Sequence, residues 1–144
     1  MSRVLANSDI YFEEEGLLYL GDSKTLMFPK MFFALSKWIL PKGNTSITKA
    51  KELQLRIESQ DAWIFQPPVA NQVVAATDFY LGAPRCDNVL AHILSRSGYR
   101  IINPAFAIKA IEVDSRKRVG SLYKHSGSVL GVGKNVLLSD KFVF

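Results

Sequence analysis

Asp78-Phe-Tyr-Leu-Gly-Ala-Pro-Arg-Cys-Asp-Asn88, with the stretch 88–97 that follows it, is the part of this chain whose reading decides the fold. Two adjacent aromatics, a glycine, a proline and an acid–amide pair stand directly ahead of an apolar-faced helix. Leu90, Ala91, Ile93 and Leu94 recur at helical spacing, Asp87 has the side chain of an N-cap, and Gly98 suits the position just past the helix end. A sharp bend that presents an aspartate at a helix start is a common way to build the floor of a pocket. Asp87 therefore has two readings, a helix cap or a pocket acid, and both compete for the same oxygens.

Working outward from this helix, strand signals dominate. Val4-Leu-Ala6 and Ile10-Tyr-Phe12 read as one strand interrupted by the polar triplet Asn7-Ser8-Asp9, closed by Glu13-Glu14-Glu15 and Gly16. Residues 31–38 form an apolar and aromatic run, expected as one buried strand. Pro41-Lys-Gly-Asn-Thr-Ser46 is turn chemistry. Leu53, Leu55 and Ile57 alternate with Gln54, Arg56 and Glu58, the pattern of a half-buried strand. Ala62-Trp-Ile-Phe65 is a further short strand, ended by Pro67-Pro68, and Arg100-Ile-Ile102 and 107–113 are strands broken by Asn103-Pro104. The expected class is α/β, a mixed sheet with few helices.

The 144 residues make one domain, long enough to bury a core. A hydrophobic fraction of 48% and a charged fraction of 22% exclude wholesale disorder. The longest apolar runs are too short to span a bilayer, and the N-terminus has no secretory signal pattern. One cysteine, Cys86, excludes an intrachain disulfide and a cysteine zinc cluster, so a reducing, cytoplasmic location is expected. Charge is uneven: residues 1–84 carry eight Lys/Arg against nine Asp/Glu, residues 85–144 ten against four. The basic second half suits phosphates or is a solvated surface.

Five segments in order carry a resemblance: Asn7-Ser-Asp-Ile-Tyr-Phe12, Ala34-Leu-Ser-Lys-Trp38, Ser59-Gln-Asp-Ala-Trp-Ile-Phe65, the 78–88 loop, and Gly98-Tyr-Arg-Ile-Ile-Asn-Pro104 with Ile108-Lys109. The series resembles the C-terminal, acceptor-side half of GT-A-type glycosyltransferase-like proteins, over about residues 4–114. Residues 115–144 are a basic, glycine-dotted extension. The resemblance implies transfer of a sugar from a nucleotide-sugar to a glycan or other acceptor. It implies a divalent Mg²⁺ or Mn²⁺ on the donor diphosphate, with Asp9 as candidate ligand, since a hard cation prefers carboxylate oxygen. Asp9 otherwise turns the chain.

The resemblance further implies Asp87 as the base that takes the proton of the attacking hydroxyl. Asp61 would orient the acceptor, and Asn88, at the end of the same loop as Asp87, would bind substrate. Trp38 and Trp63 would stack on a sugar or nucleobase, or simply fill the core. Three departures from the family pattern stand out. Glu112-Val-Asp114 replaces a histidine-bearing strand end, and its two carboxylates become candidate metal ligands. Arg85 replaces a glycine ahead of Cys86-Asp87. The N-terminal Rossmann-like nucleotide half is lacking, which implies a fragment, a split gene product or a degenerate relative, active alone or not.

A non-catalytic binding module that keeps the fold is the alternative. The sheet edge left by the lacking half would then favour a homodimer or a partner chain. A third reading is nucleic-acid binding through Arg116-Lys-Arg118 and its basic surroundings, with no recognised motif to accompany it. Gly131-Val-Gly-Lys134 lacks P-loop spacing and reads as a turn. His92 and His125 stand too far apart in sequence to suggest a metal site.

Overall fold

The computed structural model describes residues 1–21, 30–40, 52–53, 59–80, 83, 85–113, 133–134 and 136–137. They form two four-stranded mixed sheets and three helices, in the order β1 (Arg3–Ala6), β2 (Ile10–Phe12), α1 (Glu14–Gly21), β3 (Met31–Leu35), β4 (Lys37–Ile39), β5 (Glu52–Leu53), β6 (Ala62–Phe65), α2 (Asn71–Ala76), α3 (Cys86–Arg96), β7 (Arg100–Ile102) and β8 (Ala110–Glu112). One sheet runs β1-β6-β3-β7, the other β2-β8-β4-β5. The α/β class is as expected.

The centre of the first sheet is β3, whose five residues are all buried. Its period of two divides the core: Met31, Phe33 and Leu35 join Ala62, Ile64, Ile108 and Ala110 on one face. Phe32 and Ala34 join Trp63, Ala91, Leu94 and Tyr99 on the other, beneath α3. A strand covered on both faces reads as a continuous apolar run, which is why this segment was legible. β6 pairs with β3 antiparallel and β7 pairs with it in parallel.

The run 31–38 is two strands in two sheets rather than one. Ser36 is the break. Its N–H donates to Asn103 Oδ1 at 3.2 Å, and Asn103 Nδ2 donates to Ser36 Oγ at 2.9 Å, both groups buried. A side chain thus satisfies a backbone donor that a sheet ladder would otherwise take, and the chain passes into β4. The same crossing recurs between β7 and β8, so β3 pairs in parallel with β7 and β4 with β8. The Ser36–Asn103 pair stitches the two crossings together.

The first expected strand is also two, in different sheets: β1 pairs antiparallel with β6, β2 with β8. Asn7-Ser8-Asp9 is the corner, closed by Ile10 N–H on the Asn7 carbonyl at 3.2 Å. The acidic run does not close a strand but opens α1. Glu14 and Glu15 occupy its first turn, where the helix dipole favours negative charge. A Cβ on Gly16 would stand 3.1 Å from the Ile108 backbone, so a glycine lets the helix lie against the chain before β8. Of the expected strand 53–57, Leu53 lies in β5 and residues 54–58 are outside the described set, as is the 41–46 loop. The strand expected over 107–113 is confined to Ala110–Glu112.

The helix starts two residues earlier than its sequence signal. Its N-cap is Arg85, with a left-handed φ of 71°, and Asp87 falls inside the first turn. The expected N-cap role of Asp87 is therefore corrected: the bend places its side chain elsewhere. The C-terminus closes as expected. Gly98, at φ 80°, donates to Ser95 C=O at 3.1 Å and Tyr99 N–H to Leu94 C=O at 3.0 Å, a Schellman pair backed by the Leu94–Tyr99 core contact. The short helix α2 has no counterpart in the sequence reading. It packs through Val73, and Tyr99 Oη accepts the Ala70 N–H at 2.9 Å just before it.

Candidate functional site: a carboxylate pair at the start of β6

Asp61 stands one residue before β6. Its carbonyl accepts the Asn7 N–H at 3.1 Å, and its own N–H donates to Leu35 C=O at 2.9 Å. The backbone is thus clamped between the ends of β1 and β3. Its Oδ1 accepts Asn7 Nδ2 at 3.1 Å and lies 3.6 Å from Lys37 Nζ. Lys37 itself is tied to Glu112 Oε1 at 2.8 Å. One ammonium, reaching from β4, therefore bridges a carboxylate from each sheet.

Asp87 reaches the same place from the first turn of α3. Its Oδ2 accepts Ser59 Oγ–H at 3.4 Å, its Oδ1 faces the Cys86 thiol at 3.6 Å, and the Gln60 N–H also donates to it. Leu5, Ala6, Asn7, Gln60, Asp61, Trp63 and Asp87 line one recess, whose free space of ≈ 10 Å³ is that of a single water-sized group. Two chain segments 26 residues apart thus put two carboxyls around room for one hydroxyl.

Burial sets the electrostatics. It pushes the Asp61 carboxyl above its ordinary value of 3.8, against the pull of the Lys37 ammonium, with Glu112 adding to the rise. Burial also pushes Asp87 up, and the charge of Asp61 pushes it further. The hydrogen bonds from Cys86, Gln60 and Ser59 oppose this without cancelling it. Asp61 has a cation beside it, and Asp87 has none among these partners.

The other sequence candidates fall in different places. Trp63 is 3% exposed, buried beneath α3. Of the two expected roles the core one is found: the ring is packed with Phe32, Ala34, Ala91 and Leu94, and the residue also lines the recess. Its indole N–H has no hydrogen-bond partner among the described residues. Trp38 lies in the second sheet, on the opposite side of β4 from Lys37 by strand alternation. Its Nε1 donates to Ala105 C=O at 2.7 Å, and its ring meets Phe106 edge-on and Lys109 at 5.3 Å. It is not brought to the carboxylate pair. Asn88 is buried on α3 and donates to Lys134 C=O at 3.3 Å, while Lys134 N–H donates to Asn88 C=O. That docks residues 133–134 on the helix, and a Cβ on Gly133 would stand 2.5 Å from Asn88 Cβ.

The implied metal ligands Asp9, Glu112 and Asp114 meet a local obstacle. Glu112 is buried and held by Lys37. Asp9 sits beside the end of β8, its carbonyl accepting Val113 N–H at 3.1 Å. Asp114 lies outside the described residues, and among those residues no three His, Cys, Asp or Glu side chains converge to hold an ion. Arg116-Lys-Arg118 and His125 also lie outside the described set.

Sequence reasoning missed the role of Lys37 and the hydrogen-bond partners Asn7, Ser59 and Gln60. Their only signal was position: each falls within one of the five quoted segments. No helix among the described residues is long and apolar enough to cross a membrane. Comparison with family models, curated proteins and solved structures finds no match for this chain.

Proposed function

We propose that this chain is a glycosyltransferase-like, acceptor-side domain in which Asp87 accepts the proton of an attacking acceptor hydroxyl. The observation that carries this reading is the meeting of Asp87 and Asp61 around a recess of one-hydroxyl size. A general base needs hydrogen-bond reach to the proton and a pKa raised toward working pH, and Asp87 has a raised pKa at the edge of such a space. Asp61, held by Asn7 and Lys37, orients the hydroxyl, and its charge raises the proton affinity of its neighbour. The resemblance of the five segments to GT-A-type proteins is what supports the substrate class, a nucleotide-sugar donor.

Calorimetric titration of the full chain with UDP and with GDP, each with and without Mn²⁺, tests donor binding. Saturable heat is expected. Asp87→Asn should keep that heat and abolish sugar transfer. A flat titration at millimolar ligand overturns the stand-alone enzyme.

One observation favours a second reading, a non-catalytic binding module. Lys37 pairs with Glu112, so one of the carboxylates read as a candidate metal ligand is already held. On that reading a recess-binding ligand is retained and Asp87→Asn changes stability alone.

A further inference from the structure

The open edge of β1 runs directly beside the carboxylate pair. Among the described residues β1 pairs only with β6, and its side chains are unusually uncovered on both faces: Val4 is 48% and Leu5 39% exposed. The Asn7 N–H bond to Asp61 C=O sets the alternation along the strand. Arg3 and Leu5 turn their backbone groups to β6, and Val4 and Ala6 turn theirs outward. The side chains alternate too. Leu5 opposes Trp63 and Arg3 opposes Phe65, so both stand on the α3 face, where the recess lies. Val4 and Ala6 stand on the other face with Ile64 and Ala62.

We propose that a second copy of this chain pairs with β1 edge to edge, antiparallel about a two-fold axis at Leu5, and that the partner's Arg3 completes the recess. Only registers that match faces are admissible, because a one-residue slip would turn every side chain over. With Leu5 opposite the partner's Leu5, Val4 faces the partner's Ala6 and Ala6 the partner's Val4. These are the residues whose N–H and C=O groups point outward, so the two pairs exchange four backbone hydrogen bonds. Leu5 and the partner's Leu5 form the close, non-hydrogen-bonded pair between them. The same register sets the partner's Arg3 opposite Asn7, on the face where Asn7 Nδ2 holds Asp61.

Charge complementarity selects this occupant. The recess holds two carboxyls, and the cation seen near them among the described residues, Lys37, is shared with Glu112. A guanidinium arriving beside Asn7 supplies the charge the pair lacks, and its planar fork suits carboxylate oxygens. β1 carries its cation at the start, and the acids lie beyond its end, so antiparallel pairing brings unlike charges together at both ends. Parallel pairing would set the partner's cation away from the acids. Such an isologous contact is the commonest form of homodimer. This inference stands on the strand edge and the carboxyls, and does not require the sugar-transfer reading.

Light scattering coupled to size-exclusion chromatography of the full chain tests it. A particle of twice 16.1 kDa is expected. Arg3→Glu, on an exposed strand, should keep the native circular dichroism spectrum and weaken dimerisation by roughly tenfold or more. Leu5→Cys should give a covalent dimer on mild oxidation, while Val4→Cys and the parent, whose Cys86 is buried, should not. A monomer at high micromolar concentration overturns the proposal. So does a dimer that Arg3→Glu leaves intact and Leu5→Cys fails to cross-link, since its interface lies elsewhere. Nucleotide binding is a separate readout, so failure here and failure of the transferase reading are distinguishable.

Discussion

Lys37 Nζ lies 2.8 Å from Glu112 Oε1, joining neighbouring parallel strands of the second sheet through a mostly buried ion pair. The same ammonium reaches Asp61 of the first sheet at 3.6 Å. One cation thus holds two buried acids, and the recess is electrostatically coupled to the junction between the sheets.

Removing that cation should be costly. Lys37→Met leaves Glu112 and Asp61 buried without their counter-charge, and breaking a buried pair in this way costs roughly 3 kcal/mol. Urea unfolding should show the loss as a lower midpoint at unchanged slope. Adding Glu112→Gln to Lys37→Met should restore part of it, because the stranded charge is then gone.

Asp87 should make the fold less stable at neutral pH than a neutral isostere would. Its folded-state pKa is raised above 3.8, chiefly by burial and then by Asp61. The stability this group contributes is therefore full below the unfolded value and is lost as pH rises through the folded one. Asp87→Asn should raise neutral-pH stability by about 1 kcal/mol, with the gain over the parent shrinking as pH falls toward 3.8. Thermal unfolding of both proteins across pH measures it. A gain that grows on acidification would overturn the assignment.

Arg85 holds a left-handed φ of 71° at the start of α3. Outside glycine this conformation costs about 1 kcal/mol. Arg85→Gly should recover about that much, read as a rise in the unfolding midpoint, and Arg85→Val should lower it. The resemblance expected a glycine at this position, and the backbone angle is one that glycine adopts freely.

Asn103→Ala removes both bonds to Ser36 and strands a buried backbone N–H at the crossing from β3 to β4. A loss of about 2 kcal/mol is expected in denaturant unfolding. Ser36→Ala, which removes only the hydroxyl, should cost less than Asn103→Ala.

The legible parts of the fold were those whose signal is local. The apolar run at 31–35 is covered on both faces, so burial alone marks it. The helix 88–97 has its periodicity and a glycine past its end, and Leu94, Gly98 and Tyr99 close it as a local motif must. Strand ends and sheet membership were not legible. Ser36 looks like one more residue of a strand until Asn103, 67 positions away, takes its N–H. Asp87 looks like an N-cap because the sequence cannot show that Arg85 adopts a left-handed turn first.

What the sequence determined by itself is the inventory: an α/β chain, an acid before a helix, an acid before a short strand, and their order. Tertiary structure alone decided that these two acids meet. Asp61 and Asp87 share a recess because β6 lies under α3, and their raised pKa values come from the burial that this packing imposes. Lys37 became part of the site for the same reason: its partners lie 24 and 75 residues away, in segments joined by strand pairing and a sheet-to-sheet crossing. Local spacing encodes periodicity and turns. Desolvation and charge coupling depend on distance in space, which the folded core sets.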